Sequence, residues 1–244
     1  MISLTEKDML RYKRQIDIPG FGIRAQKRLK RAQVTVAGAG GLGSAVLTYL
    51  AAAGIGNITI IDSDKVELSN LNRQTLYQNK DTNKSKAQRA VNTLKQLNPD
   101  IEIHGIEAQI NKDNIEGLLK GAKALVDCVD NFHTRYVLNN AALKQDIPLF
   151  HGACYGFEGR ATTIVPKKTA CLRCMVPVTP RKEVYPIIGS VAGTIGTIQA
   201  TEVIKYFTGA GSLLLNKLLV LDSLFWRSEL VDIERNPGCP DCRR

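Results

Sequence analysis

The chain has 244 residues, 44% of them hydrophobic, enough to bury a sizeable core in one large domain or two small ones. Thirty-three basic residues against 23 acidic ones give a net charge of +10, which favours acidic partners (nucleotides, nucleic acid or an acidic protein) without choosing among them. No apolar run approaches the roughly 18 to 20 residues of a membrane span. Residues 1–13 also lack the apolar stretch of an export signal, so no membrane partner and a cytoplasmic location are expected.

In chain order, residues 5–15 and 23–31 read as basic helical segments of an N-terminal arm, 1–32. Residues 33–37 are a short β-branched run entering a glycine-rich loop, 44–53 an alanine-rich helix stopped by Gly54, and 57–62 a second strand. A periodic helix over 84–97 is closed by Asn98 and Pro99. A strand at 101–105, a helix at 111–119, a strand at 124–129, a helix at 134–144 and strands at 148–155 and 160–165 follow. This alternation predicts an α/β, Rossmann-like fold, a mostly parallel sheet with helices on both faces. Residues 175–192, rich in Pro and charge and without period, read as a mobile crossover loop. A helix at 193–207 ends near Gly209, and 217–224 with 227–234 form a closing antiparallel hairpin. The whole fits a single domain over 1–244, with a nucleotide-binding part at 33–166 and a C-terminal part at 193–244.

Gly38, Gly40 and Gly43 satisfy G-x-G-x-x-G between a strand and a helix, where backbone amides and the helix dipole favour phosphate. Asp62 ends the second strand at about the 20-residue spacing where a carboxylate accepts from ribose hydroxyls. A tight turn and a capped loop would use the same residues, and NAD or FAD would be served as well as a mononucleotide. Arg73 and Lys86 tip the balance toward ATP, because together they can neutralise a triphosphate, although both also suit a solvated helix face. Asp130, followed by Asn131 beyond the strand at 124–129, stands where open α/β sheets bind ligands and suits Mg²⁺ between phosphates; an Asx turn is the plainer use.

The cysteines form two CxxC pairs, Cys171 with Cys174 and Cys239 with Cys242. Four thiolates leave a tetrahedral ion no open position, so a structural Zn²⁺ is expected, holding the C-terminal tail. Cys128 and Cys154 read as buried small hydrophobes. His104, His133 and His151 sit in no hydride-transfer motif, which weakens the alternative of an NAD-linked oxidoreductase.

Several strings in this order resemble the ThiF/MoeB/HesA family of ubiquitin-activating-enzyme-like adenylyltransferases. They are Arg11-Tyr-x-Arg14-Gln, the loop from Gly38 to Ser44, Asp62-x-Asp64, Ser69-Asn70-Leu-x-Arg73-Gln74, Lys86, Asp127-Cys-x-Asp130-Asn131 and the closing CxxC. The resemblance implies adenylation of the C-terminal Gly-Gly carboxylate of a small ubiquitin-like, β-grasp sulfur carrier by Mg-ATP. It implies Asp62 as ribose ligand, Asn70, Arg73 and Lys86 as phosphate contacts, Asp130 as magnesium ligand, and Gly41 against the nucleotide. It implies a homodimer in which Arg14 serves the neighbouring subunit's site. Many relatives carry a cysteine in the loop after the first CxxC that captures the carrier, whereas residues 176–195 contain none. Adenylation alone is therefore expected, with sulfur delivered by a separate sulfurtransferase. The charge keeps open the alternative of adenylating a modified base in tRNA.

Overall fold

The computed structural model describes residues 3–178 and 186–243. Eight strands form one sheet: β1 (Gln33–Ala37), β2 (Asn57–Ile61), β3 (Glu102–Ile106), β4 (Ala124–Asp127), β5 (Leu149–Tyr155), β6 (Glu158–Ile164), β7 (Lys217–Asp222) and β8 (Arg227–Asp232). Their order is β3-β2-β1-β4-β5-β6-β7-β8. Pairings from β3 through β5 are parallel, and those from β5 to β8 are antiparallel. The central strands β1 and β4 are buried almost throughout, as helices on both faces require, while β8 is exposed along its length.

The helices are α1 (Glu6–Arg11), α2 (Lys13–Ile16), α3 (Gly22–Arg31), α4 (Gly41–Ala53), α5 (Lys86–Leu97), α6 (Ile115–Leu118), α7 (Phe132–Gln145), α8 (Leu172–Met175) and α9 (Gly189–Thr208). Val34, Val36, Ile58, Ile60, Val126 and Phe150 face one core with α4, α5 and α9. Their neighbours Ala37, Ile61, Leu125 and Leu149 face the other core with α6 and α7, the period-two alternation of a strand covered on both sides. None of the described helices is long and apolar enough to cross a membrane.

Three expectations change. The helix over 111–119 shrinks to the single turn α6, because Asn111 Oδ1 accepts the amides of Asp113 and Asn114 while Asn114 Oδ1 accepts that of Asn111. Those side chains offer the backbone an alternative to helix. The strand at 124–129 ends at Asp127, whose Oδ1 takes the Val129 amide out of the ladder. The crossover loop is shorter at both ends than 175–192: Met175 closes α8, and α9 begins at Gly189 rather than 193. Val191 and Ala192 are buried, and their packing carries the helix through a glycine-containing stretch that propensity disfavours. The rest of that loop includes 179–185, which lie outside the described residues.

The N-terminal arm is tied down by two residues of its motif. Tyr12 is buried and its hydroxyl accepts from Asn98 Nδ2 at 2.9 Å, and Gln15 donates to the Ala53 carbonyl at 2.9 Å. Arg14 between them stays exposed.

Candidate active site

Ala37 pairs with Ile61 on one side and Asp127 on the other, so the segments following β1, β2 and β4 emerge side by side at the sheet's carboxyl edge. The strand order reverses between β1 and β4, which is where doubly wound sheets open a crevice. A cleft of about 790 Å³ lies there. It brings together Gly38, Gly40, Gly41, Asp62, Asp64, Arg73, Gln74, Lys86, Asp130 and Asn131.

The glycine loop is shaped by close approach. Gly38 has φ +93°, and a Cβ there would meet the Cys128 carbonyl oxygen at 2.7 Å; one on Gly43 would meet the Gly38 oxygen at 2.1 Å. Gly43 thus seats α4 against its own strand and does not line the cleft. No side chain caps the start of α4, so the dipole and amides of its first turn are left for an anion. Gln74 Oε1 is buried without a hydrogen-bond partner on the same wall. The uncapped helix start fits a nucleotide phosphate chain, whereas Gln74 Oε1, an acceptor, suits a hydroxyl or amino donor of the same nucleotide.

Asp62 accepts the Ala39 amide at 2.7 Å and the Asp64 amide at 2.8 Å. Burial pushes its carboxyl above the usual range, and these amides and the charge of Lys86 only partly oppose that. Tyr77, whose hydroxyl donates to the Ala39 carbonyl at 2.8 Å, braces the loop from beneath.

Lys86 is buried rather than on a solvated face, and its ammonium pairs with Asp64 Oδ2 at 2.9 Å. Arg73 folds back to donate to the Ser69 carbonyl at 2.9 Å and Asn72 Oδ1 at 3.0 Å. Ser69 and Asn70 stand behind the wall; Asn70 Oδ1 accepts the Glu67 amide and shapes the 3₁₀ turn Leu68–Asn70. Asp130 is exposed on the opposite wall, a hard carboxylate oxygen of the kind Mg²⁺ takes. Arg14 does not line this cleft.

Sequence reasoning missed several lining residues. Ala108, Gln109 and Ile110, beyond β3, line the wall on the Asp62 side and carry no motif. Arg135 lies at the floor, and no pattern distinguishes it from other helical arginines. No histidine is among the described lining residues. His151 is buried, its Nδ1 2.6 Å from Asp127 Oδ2. Cys128 is buried as expected, whereas Cys154 is half-buried; both line the cleft. Burial raises both thiols, that of Cys154 to about 12.

The four CxxC cysteines meet on the α7 face of the sheet, every Sγ within 4.8 Å of the others. The separations Cys171 to Cys239, Cys171 to Cys174 and Cys174 to Cys242 are 3.7, 3.9 and 3.4 Å. Sulfurs at ~2.3 Å around a tetrahedral zinc are about 3.8 Å apart, so the cluster fits that ion. Asn139 of α7 anchors both halves of the cluster: its Oδ1 accepts the Leu172 amide at 3.0 Å, and its Nδ2 donates to Asp241 at 3.2 Å.

A Rossmann-like sheet with an anion-ready cleft at its switch point defines a nucleotide-handling enzyme. A match to the ThiF family spans residues 12–241. A SAMP-activating enzyme E1 from Haloferax volcanii is 40% identical, over 99% of this chain and 91% of that one. A sulfur carrier protein adenylyltransferase from Thermus thermophilus is 37% identical, over 98% and 92%. The crystal structure of E. coli MccB with MccA shares the fold, with a TM-score of 0.85 at 23% identity, covering 99% of this chain and 83% of that one. The chain belongs to the ThiF family and is an adenylyltransferase.

Proposed function

We propose that this enzyme uses Mg-ATP to adenylate the C-terminal Gly-Gly carboxylate of a small ubiquitin-like, β-grasp sulfur carrier. The observation that carries the reading is the gathering of Asp62, Arg73, Lys86 and Asp130 in one cleft around the uncapped start of α4. The names of the Haloferax and Thermus relatives supply the class of partner. A carboxylate oxygen of the carrier bonds to the α-phosphorus, and the bond from that phosphorus to the oxygen bridging it to the β-phosphate breaks, releasing pyrophosphate. The attacking carboxylate is already ionised at neutral pH, so no general base is required. Negative charge grows on the phosphate oxygens and the leaving group, and fixed cations are the main catalytic means. Arg73 and Lys86 meet that charge once nucleotide draws them from the Ser69 carbonyl and Asp64. Asp130 would hold Mg²⁺, which would supply further neutralisation of the phosphate charge. Asp62 accepts from the ribose.

Arg14, exposed on an arm fixed by Tyr12 and Gln15, completes the site of a second copy in a homodimer. Zn²⁺ in the four-cysteine cluster is structural. With residues 176–195 free of cysteine and the thiols of Cys128 and Cys154 raised by burial, the enzyme stops at the acyl adenylate and a separate sulfurtransferase follows. Trapping a carrier thioester on either thiol would overturn that limit.

Exchange of pyrophosphate into ATP, measured with Gly-Gly carriers, with tRNA and with neither, tests the substrate. Exchange that depends on a Gly-Gly carrier is expected, and exchange with tRNA alone overturns the reading.

A further inference from the structure

Arg135 on α7 is a buried charge that the reaction above leaves unused. It is 6% exposed at the cleft floor. Its Nη2 donates to the Val129 carbonyl at 3.0 Å and to the Gly152 carbonyl at 3.3 Å, and its guanidinium lies 5.0 Å from the Phe132 ring centroid. Its Nε, 3.7 Å from Asp127 Oδ2, has no hydrogen-bond partner. Asp127 is fully buried and takes His151 on Oδ2 and the Val129 amide on Oδ1 at 3.2 Å.

Val129 is therefore gripped at both ends, its amide by Asp127 and its carbonyl by Arg135. The next residue is Asp130, whose side chain has, among the described residues, only Asn131 Nδ2 at 3.4 Å. A buried ion pair adds little stability over apolar side chains of similar volume, and a buried N–H without an acceptor is a further cost. Folding alone gives weak reason to keep this set beneath a cleft. What it supplies is a fixed backbone at a turn that must aim the Asp130 carboxylate from outside any helix or strand.

We propose that Arg135 is a positioning residue for Asp130, fixing the Val129 carbonyl so that the carboxylate meets the nucleotide-bound cation. This rests on the reading of Asp130 as the magnesium ligand. Partners that orient a metal ligand are worth roughly 10- to 100-fold in metal affinity.

The test is equilibrium ATP binding by the full chain, titrated with Mg²⁺ and repeated in EDTA, with thermal melting alongside. Arg135→Met is expected to raise the magnesium midpoint about ten-fold or more, with a much smaller loss of metal-free ATP binding. Arg135→Lys, which keeps a donor for both carbonyls, falls between it and wild type. Asp130→Asn combined with Arg135→Met is no weaker than Asp130→Asn alone. Equal loss in EDTA and in magnesium, or losses that multiply in the double variant, overturns the proposal. If the Met variant fails to fold, the Lys variant decides: a several-fold shift of the midpoint supports the role and an unshifted midpoint overturns it. A midpoint unmoved by Asp130→Asn in otherwise wild-type protein overturns the magnesium reading, and this role with it.

Discussion

The cysteine cluster and the cleft are both built from residues distant in sequence, yet they stand in opposite states of completion. Around Cys171, Cys174, Cys239 and Cys242, four sulfurs already hold near-tetrahedral spacing, with Asn139 fixing the surrounding backbone. In the cleft, Lys86 is turned to Asp64 and Arg73 to its own turn. Four thiolates around one ion would permit no other arrangement, and the cluster is already assembled for it. A phosphate site that must bind, react and release is better served by cations parked on exchangeable acceptors of the protein, which the nucleotide displaces and then gives back. The cleft's fixed parts are the backbone loop from Gly38 to Gly43, Asp62 and the clamped Val129 turn; the cations Arg73 and Lys86 are the adjustable ones.

Breaking the finished site should have the largest effect. Cys239→Ser leaves three sulfurs in a closed cluster, and loss of a structural metal belongs to the few changes that exceed about 4 kcal/mol. The expected fall in melting temperature is roughly 8 °C or more, with zinc content by atomic absorption dropping toward zero. Breaking the adjustable site should leave folding alone. Arg73→Ala is expected to lower carrier-dependent pyrophosphate exchange about 10²- to 10³-fold, with zinc content and melting temperature unchanged. If the two variants lost zinc and exchange together, the two regions would not be separable.

The smallest effect lies in the arm. Burial pulls the Asp8 carboxyl up, but Lys30 and the amide and hydroxyl of Thr5 outweigh it and hold it below the ordinary 3.8. A lowered folded-state value means its stabilisation is fully present above about pH 4 and fades as pH falls through the folded value. Asp8→Asn should therefore cost about 1 kcal/mol at pH 7, a loss of roughly 2–4 °C in melting temperature. The gap between variant and wild type should narrow as pH falls below the ordinary carboxylate range and through the lowered folded-state value; a gap of constant size would remove the charge from the explanation.

Much of this was legible in the sequence because it lies in backbone requirements. The strand, glycine loop and alanine-rich helix, the stop at Gly54 and the closing hairpin follow from local sterics and periodicity, and matched CxxC spacing fixes a tetrahedral donor set almost by itself. The missed parts depend on tertiary packing. Nothing in 108–110 marks a cleft wall, since those residues reach it only because β3 pairs beside β2. The early start of α9 comes from burial of Val191 and Ala192, and the loss of helix at 111–114 from side-chain bonds that a periodicity count ignores. The sequence marks Lys86 as a phosphate contact, but its burial and its pairing with Asp64 come only from the fold.

Asn139 ties α7 to the cysteine-bearing tail, and Asn131 caps the same helix at the cleft by accepting the Thr134 amide at 2.9 Å. The two asparagines are about 12 Å apart along a continuous helix. The tail thus works as a mooring: it sets the depth and tilt of a rigid rod whose far end is the lip of the cleft. Asp241 and the cysteines around it, remote from any phosphate, are thereby joined through one helix to the turn that carries Asp130.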